Sequence, residues 1–391
     1  MLIGIDASRA FQKNRTGIEE YSYQIIKNLM NKLEGHRVIL YIRKNQKVNL
    51  KLPSNCELKV IKWPYLWTQI GLSLELLFHP VDILFIPAHT VPIIHPAHNA
   101  TRYVSMLILW FKKVFLRSYN KDEWHSVAGG PKNTAVVIHG LEYEFCPKAY
   151  SFWGRIYMRV AIKNSCRWAK KIIAVSKNTK KDIINLYEVS EDKIKVVYNG
   201  VSINNQDTRN DNRNIKYLLF IGRLEERKNI LGIVEAFEIL KEKYKIPHKL
   251  VLAGNPGYGY KNSKFKIKNS KFRNDIVLKG FVSEDEKYSL LKNADVFLFP
   301  SFYEGFGLPI IEAQSTGAPV VTSNVSSIPE VVNSSAILVD PSSSQEIAKA
   351  TYKLISDENF RSDIINRGFK NVKRFSWDKC AEEIANFLEE K

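Results

Sequence analysis

Four cysteines in 391 residues, Cys56, Cys146, Cys166 and Cys380, stand without a single Cys-x-x-Cys spacing. That scarcity argues against a zinc ribbon or a disulfide framework and fits a reducing compartment. No secretory leader is evident, because Met1 runs straight into the strand-like LIGIDASRA, and the expected location is cytoplasmic. No apolar run approaches the ~20 residues needed to span a bilayer. No G-x-G-x-x-G follows the first strand, which continues as GIDASRAF, so a dinucleotide-dependent dehydrogenase is disfavoured. Acidic residues are few beside basic ones, 40 against 58, leaving a formal net charge of +18. An excess of that size calls for an anionic partner: an acidic membrane face, anionic small substrates or nucleic acid. The lysines are spread and form no single basic tract, which disfavours nucleic acid.

What is present is a globular composition, 45% hydrophobic and 25% charged, in a chain long enough for two cores. Short β-branched runs alternate with helical patterns, the signature of parallel α/β sheets. In the first half, strands are expected at 2–6, 37–42, 58–62, 81–86, 135–139, 171–175 and 194–198, with helices at 17–32, 151–169 and 178–187. The stretch VSINNQDTRNDNRN is polar and reads as a linker. A second series follows, with strands near 217–222, 249–253, 275–279, 296–299, 319–322 and 336–339. The expected organisation is a first doubly wound domain over 1–200, a linker at 201–215, a second doubly wound domain over 216–374 and a last helical segment over 375–391. Two doubly wound sheets place a cleft at the C-terminal ends of their strands.

The segment Ser301-Phe302-Tyr303-Glu304-Gly305-Phe306-Gly307-Leu308-Pro309-Ile310-Ile311-Glu312 is the most informative part of the second half. Pro309 suits the first helical position, where its missing N–H costs nothing. A glycine-bearing loop ahead of a helix N-terminus suits phosphate. The carboxylates of Glu304 and Glu312 are poor phosphate ligands and good acceptors for sugar and ribose hydroxyls. The combination reads as a site for a nucleotide sugar. At the opening of the same domain, Phe220-Ile221-Gly222-Arg223-Leu224-Glu225-Glu226-Arg227-Lys228-Asn229 puts Arg223 and Lys228 at a strand-to-helix turn. There Arg offers a planar fork and Lys a point charge to phosphate.

These windows, together with AGN at Ala253–Asn255, GFVSEDE at Gly280–Glu286 and EGFGLPIIEAQSTGAPVVTSNVSSIPEV, resemble glycosyltransferase family 4, the retaining enzymes of the GT-B fold. Seven residues separate Glu304 from Glu312, as in that family's E-x7-E motif. In the first half TGIEEYSYQIIKNL, PAHTVP, VVIHGLEYEFCP and IIAVSKNTKKDI also look familial, and so does the terminal RFSWDKCAEEIANFL. The resemblance implies an α/β GT-B architecture with two Rossmann-like domains facing a cleft: an N-terminal, acceptor-side domain over 1–200 with an insertion near 98–132, a C-terminal donor-binding domain over 216–374, and a last helix, 375–391, returning to the first domain. It implies that Glu304 meets hydroxyls of the donor sugar and Glu312 the ribose, while Arg223 and Lys228 neutralise the departing diphosphate. Backbone near Gly222, Gly305, Phe306, Gly307 and Leu308 would complete that cradle, with Gly254, Phe281 and Val282 walling the base. Gly17 would lie by the phosphates, and His139 would contact the sugar. It further implies front-face substitution with retention, no metal and no cofactor beyond the nucleotide-diphosphate sugar as co-substrate. The acceptor would be a saccharide or a lipid-linked glycan.

Two positions depart from the family pattern. Glu19-Glu20 follow Thr16-Gly17-Ile18 where Gly-Arg is common, and His139 is followed by Gly140 where Asp is common. No general base is therefore assigned at 140, and the roles of Glu142 and Glu144 stay open. His89, His95 and His98 lack acidic partners or helical spacing and read as loop residues or acceptor-side contacts in preference to a zinc site. Within Arg102–Tyr119, Tyr103, Met106, Leu107, Trp110, Phe111 and Val114 recur at helical spacing beside Lys112, Lys113 and Arg117. That pattern suits a helix lying at an anionic membrane face or one packed on the first domain. Two rival functions remain open: a nucleotide-sugar epimerase of the same fold, and a non-catalytic sugar-nucleotide-binding protein at a membrane.

Overall fold

The computed structural model describes residues 1–13, 15–92, 133–202 and 215–390. The expected insertion, the segment Arg102–Tyr119, His95, His98 and most of the expected linker lie outside the described residues.

In the N-terminal half, strands β1 (Leu2–Asp6), β2 (Arg37–Arg43), β3 (Cys56–Ile61), β4 (Ile83–Ile86), β5 (Thr134–Ile138), β6 (Lys171–Ala174) and β7 (Ile194–Val196) form one sheet. Its order is β3-β2-β1-β4-β5-β6-β7 and every pairing is parallel. The second half repeats the plan with β8 (Tyr217–Ile221), β9 (Lys249–Ala253), β10 (Ile276–Gly280), β11 (Val296–Phe299), β12 (Val320–Ser323) and β13 (Ile337–Val339). Their order is β10-β9-β8-β11-β12-β13, again all parallel. In both sheets the order reverses beside the first strand, between β1 and β4 and between β8 and β11. Each crevice outside those strand ends is where a doubly wound sheet takes a ligand.

Central strands are apolar on both faces, as helices on both sides of a parallel sheet require. Val296–Phe299 and Thr134–Ile138 are buried throughout. The helices of the first half are α1 (Gly17–Leu29), α2 (Ser73–Phe78), α3 (Glu142–Phe145), α4 (Phe152–Trp168) and α5 (Lys177–Tyr187). Those of the second are α6 (Ile230–Lys243), α7 (Tyr260–Asn269), α8 (Glu284–Asn293), α9 (Leu308–Ser315), α10 (Ile328–Val332), α11 (Ser344–Ser356), α12 (Glu358–Val372) and α13 (Trp377–Glu389). Their starts follow the chain's polar punctuation. Ser151, Ser176, Asn229, Ser283, Ser343, Asp357 and Ser376 each accept a backbone N–H of the first turn.

Sequence patterning missed α2, α3, α7 and α10. Three are a single turn or little more, and α7, YKNSKFKIKN, has too few apolar residues to show a helical face. Pro309 is the second helical residue, after Leu308, with Gly307 as the cap. Glu312 consequently sits in the second turn of α9 and not in the first.

Helix α13 crosses back to the first sheet. Trp377 packs edge-on against Tyr21 of α1 with centroids 5.8 Å apart, and Lys32 pairs with Asp378 at 2.8 Å. Lys171 of β6 donates to the main-chain carbonyl of Leu388 at 3.3 Å.

Candidate active site

The floor of the site is a charge cluster buried in the second half. The chain leaves β8 at Gly222 and turns through Glu226–Lys228 before α6, which carries Lys228 inward. Opposite, the chain leaves β11 and reaches Glu304, whose backbone is gripped on both sides. Its N–H donates to Ser326 Oγ at 3.0 Å, and its carbonyl accepts from Ser327 Oγ at 2.9 Å. Lys228 Nζ lies 2.6 Å from Glu304 Oε1, and Arg227 Nη1 lies 3.2 Å from the same oxygen. Arg227 also donates to the Tyr303 carbonyl at 2.8 Å and to Glu225 at 2.9 Å. Burial opposes ionisation of Glu304, but Lys228 and Arg227 outweigh it and hold the carboxyl below its ordinary value. Lys228 is lowered, by burial first and then by Arg227, against the pull of Glu304. Two cations and two carboxylates thus share a poorly hydrated spot, which fixes their geometry.

Sequence reasoning did not single out Arg227. The only signal was its place beside Lys228 in a run of charges that looked solvent-facing. Arg223, which was singled out, stands 60% exposed just past β8 and reaches Glu225 only at 3.8 Å. The two arginines therefore differ in kind: one is locked in the cluster, and the other is exposed and held by a single long ion pair.

Gly222 and Gly254 follow neighbouring strands and approach closely. A Cβ on Gly254 would meet the Gly222 carbonyl oxygen at 1.9 Å, and the Gly254 φ of +140° already favours glycine. Phe281 is 46% exposed beyond β10, and Val282 next to it is half-buried. Glu312 pairs with Lys287 of α8 at 2.8 Å, and Lys287 also reaches Glu284 at 2.9 Å. Burial pulls the Lys287 ammonium down, yet Glu312 and Glu284 prevail and hold it well above its usual value. Lys287 was another unflagged partner, one residue beyond the GFVSEDE window. Phe306 turns its side chain inward, 3% exposed, edge-on to Phe375 at 5.5 Å.

The first half supplies the facing wall. His139 follows β5, and its Nε2 sits 2.7 Å from the Pro87 carbonyl. Since a carbonyl only accepts, Nε2 carries the proton. Burial, reinforced by the neighbouring His89, pushes the ring down to about 3, so it is neutral with Nδ1 as its acceptor. His89 is likewise pushed down to about 4 by burial and accepts the His139 N–H at 3.3 Å. The expected Gly17 is exposed at the start of α1, and a Cβ there would meet nothing within 4 Å. The two glutamates that replace the family's Gly-Arg are matched locally, Glu19 by Arg9 at 3.2 Å and Glu20 by Arg15 at 2.7 Å.

The two walls touch. A Cβ on Gly305 would lie 1.5 Å from the His139 carbonyl oxygen and 3.0 Å from the Gly140 Cα. The glycine at 305 is thus demanded by the other domain's backbone. Around this contact Tyr303 Oη donates to Asp182 at 2.6 Å and accepts the Leu141 N–H at 3.3 Å, and its ring stacks on Phe145 at 4.8 Å. Glu330 of α10 accepts the N–H groups of Lys177 and Asn178 at the start of α5, at 3.1 and 2.9 Å.

Two parallel doubly wound sheets that meet through the loops leaving their strand ends make up the GT-B architecture. A sequence profile described as "Glycosyltransferase Family 4" matches residues 15–205, and one described as "Glycosyl transferases group 1" matches residues 203–371. The chain is 30% identical to O-antigen chain mannosyltransferase B of Escherichia coli, over 65% of this chain and 70% of that protein. Among solved structures it is similar to Anabaena HepE, crystallised with UDP and glucose, at 18% identity and a TM-score of 0.68. That match covers 100% of this chain and 99% of the other. It is also similar to WaaG, described as a glycosyltransferase involved in lipopolysaccharide biosynthesis, at 16% identity and a TM-score of 0.68 over 100% of both chains. The chain belongs to glycosyltransferase family 4.

Proposed function

We propose that this glycosyltransferase moves a hexose from a nucleoside-diphosphate sugar onto a saccharide or lipid-linked acceptor during glycan assembly, with retention and without a metal. The observation that carries the reading is the Lys228–Glu304 pair, which sets a cation and a carboxylate 2.6 Å apart at the strand ends. A departing diphosphate needs positive charge, and a sugar hydroxyl needs an acceptor. Arg223 and Lys228 answer the first need, and Glu304 the second. With Arg227 also on Glu304, Lys228 retains donor capacity for a phosphate oxygen. Two side-chain cations, Lys228 held in the cluster and Arg223 exposed at its edge, supply the charge stabilisation that magnesium supplies elsewhere. Glu312 faces the ribose hydroxyls, and His139 offers Nδ1 to a sugar hydroxyl as a neutral acceptor. Among relatives, a protein described as an O-antigen chain mannosyltransferase favours nucleotide-activated mannose as the first donor to assay.

The test is transfer to a labelled acceptor in the presence and absence of chelator, with the anomeric configuration of the product read by NMR. An inverted product removes the retaining assignment, and loss of turnover in chelator removes metal independence. Release of nucleotide diphosphate without an acceptor-linked product favours the epimerase reading. A lipid-linked acceptor also brings the enzyme to an anionic membrane surface. No helix among the described residues is long and apolar enough to cross a membrane.

A further inference from the structure

Helix α4, FWGRIYMRVAIKNSCRW, presents an exposed face that the rest of the described residues leave uncovered. Phe152, Ile156 and Val160 recur every fourth residue along it, with Trp153 and Tyr157 alongside. Trp153 is 77% exposed and Phe152 70%, values far from those of side chains packed in a core. The opposite side, through Ile162, Ser165 and Cys166, is buried, and Ser165 Oγ accepts the Val91 N–H at 2.9 Å. The helix is therefore fixed to the domain, and its aromatic side is offered outward.

Charge decides what covers it. The helix contains no acidic residue, and Arg155, Arg159, Lys163 and Arg167 recur at intervals of four. Arg159 is committed to Glu144, while Lys163 and Arg167 are exposed on the same arc as the aromatics, nearer the C-terminal end. Aromatic rings that sit at a headgroup boundary, followed by cations at the headgroups, are what an interfacial helix requires. A second pair of exposed aromatics, Tyr65 and Phe78, lies on the segment whose Glu75 pairs with Lys59 at 3.2 Å and with His79 at 3.1 Å, so a carboxylate offsets the cation there.

We propose that the face of α4 carrying Phe152, Trp153, Ile156, Tyr157 and Val160 docks the enzyme onto an anionic lipid surface. The proposal rests on the reading of the acceptor as lipid-linked, and it names where the lipid sits. The face begins at the cleft: Tyr150, just ahead of the helix, donates to Glu142 at 3.0 Å, and a Cβ on Gly140 would lie 3.1 Å from Glu142 and 3.0 Å from Gly305. A sugar acceptor on a lipid anchor would thus enter beside the rings that touch the bilayer. Each cation brought to an anionic surface strengthens binding about fivefold, so the contact depends on lipid charge as well as on the rings.

The experiment is co-sedimentation of the full chain with phosphatidylcholine vesicles, with and without roughly one-third phosphatidylglycerol. The wild type is expected to bind the anionic vesicles and to bind the neutral ones several-fold less. The triple variant Phe152→Ser, Trp153→Ser, Tyr157→Ser is expected to lose at least about tenfold in vesicle affinity. Its transfer to a soluble saccharide acceptor should stay at the wild-type rate, which also shows that it is folded. The pair Tyr65→Ser, Phe78→Ser serves as the control and is expected to bind like the wild type. Equal binding by the triple variant, equal binding to neutral vesicles, or a wild-type dimer dissolved by the same substitutions would each overturn the proposal. Absence of any glycosyl transfer by the wild type would instead strike the functional reading, since vesicle binding is measured without donor or acceptor.

Discussion

Lys228 holds its ammonium 2.6 Å from Oε1 of Glu304, a residue 76 positions away that leaves the neighbouring strand. The two come from β8 and β11, where the strand order of the second sheet reverses, so the topology itself brings this pair to the ligand end. Removing Lys228 takes away a leaving-group cation and strips Glu304 of its closest partner. Turnover of Lys228→Ala is expected to fall on the order of 100-fold or more, read as kcat in a saturating donor series. A kcat within a few-fold of wild type would end the phosphate role for this residue.

Arg223 and Arg227 separate function from stability. Arg227 is 13% exposed and bound to two carboxylates, so Arg227→Met leaves buried charge unmatched and is expected to cost about 3 kcal/mol in denaturant unfolding. Arg223 is 60% exposed, and Arg223→Met should move stability by less than about 0.5 kcal/mol. The same change should lower kcat on the order of 100-fold. If Arg223→Met unfolds the protein and Arg227→Met alone slows it, the roles are reversed.

Much of the fold was legible in the chain, because buried parallel strands read as β-branched runs and helix starts carry Ser, Asn or Asp. Both sheets and the two-domain plan follow from that rhythm. The window around Glu304 and Lys228 was legible for the same reason: glycine, proline and charge at a strand end are local features. Partners fixed by tertiary approach were not. Arg227 looked like one more surface charge until burial distinguished it from Arg223. Tyr303 sat inside the most informative segment, yet its hydroxyl is satisfied by Asp182, 121 residues earlier. Nothing in a single chain reports that Gly305 is needed because the His139 carbonyl occupies the place of its side chain.

Gly305→Ala tests that approach. The added methyl would overlap a main-chain oxygen of the other domain, which cannot rotate aside. The expected result is a protein with normal secondary structure by circular dichroism whose domains stand further apart. Small-angle scattering should show a larger radius of gyration, and kcat should fall at least about tenfold as the walls lose register. An unchanged radius with unchanged turnover would show that the two loops need not meet.

Tyr303→Phe probes the hydrogen bonds around the same contact. It removes the donor to Asp182 and the acceptor for the Leu141 N–H, while the ring remains to stack on Phe145. Asp182 keeps Asn178 at 2.8 Å, so the loss is partial, about 1–3 kcal/mol in unfolding free energy. Asp182→Asn in the Tyr303→Phe background should add little, because the pair they form is already gone. Additive losses would mean the two residues act separately.

The two facing histidines make stability depend on pH with a definite sign. Burial pushes His89 down to about 4 and His139, with His89 beside it, down to about 3, whereas both titrate near 6.5 when unfolded. Above pH ~6.5 neither state binds the protons, and the full stability is present. Below it the unfolded chain takes them up and the native state does not, so stability is lost as pH falls toward about 4 and then 3. Each ring contributes a slope of about 1.4 kcal/mol per pH unit across its own window. The Glu304 carboxyl, held below its ordinary value, acts in the same direction at the acid end. His89→Gln retains an acceptor for the His139 N–H but has nothing to titrate, and is expected to remove one proton's worth of slope between pH 6 and 4.5. Denaturant unfolding across that range in both proteins is the measurement. Identical slopes would mean that His89 is protonated in the folded state and that the ring is not shut away from water.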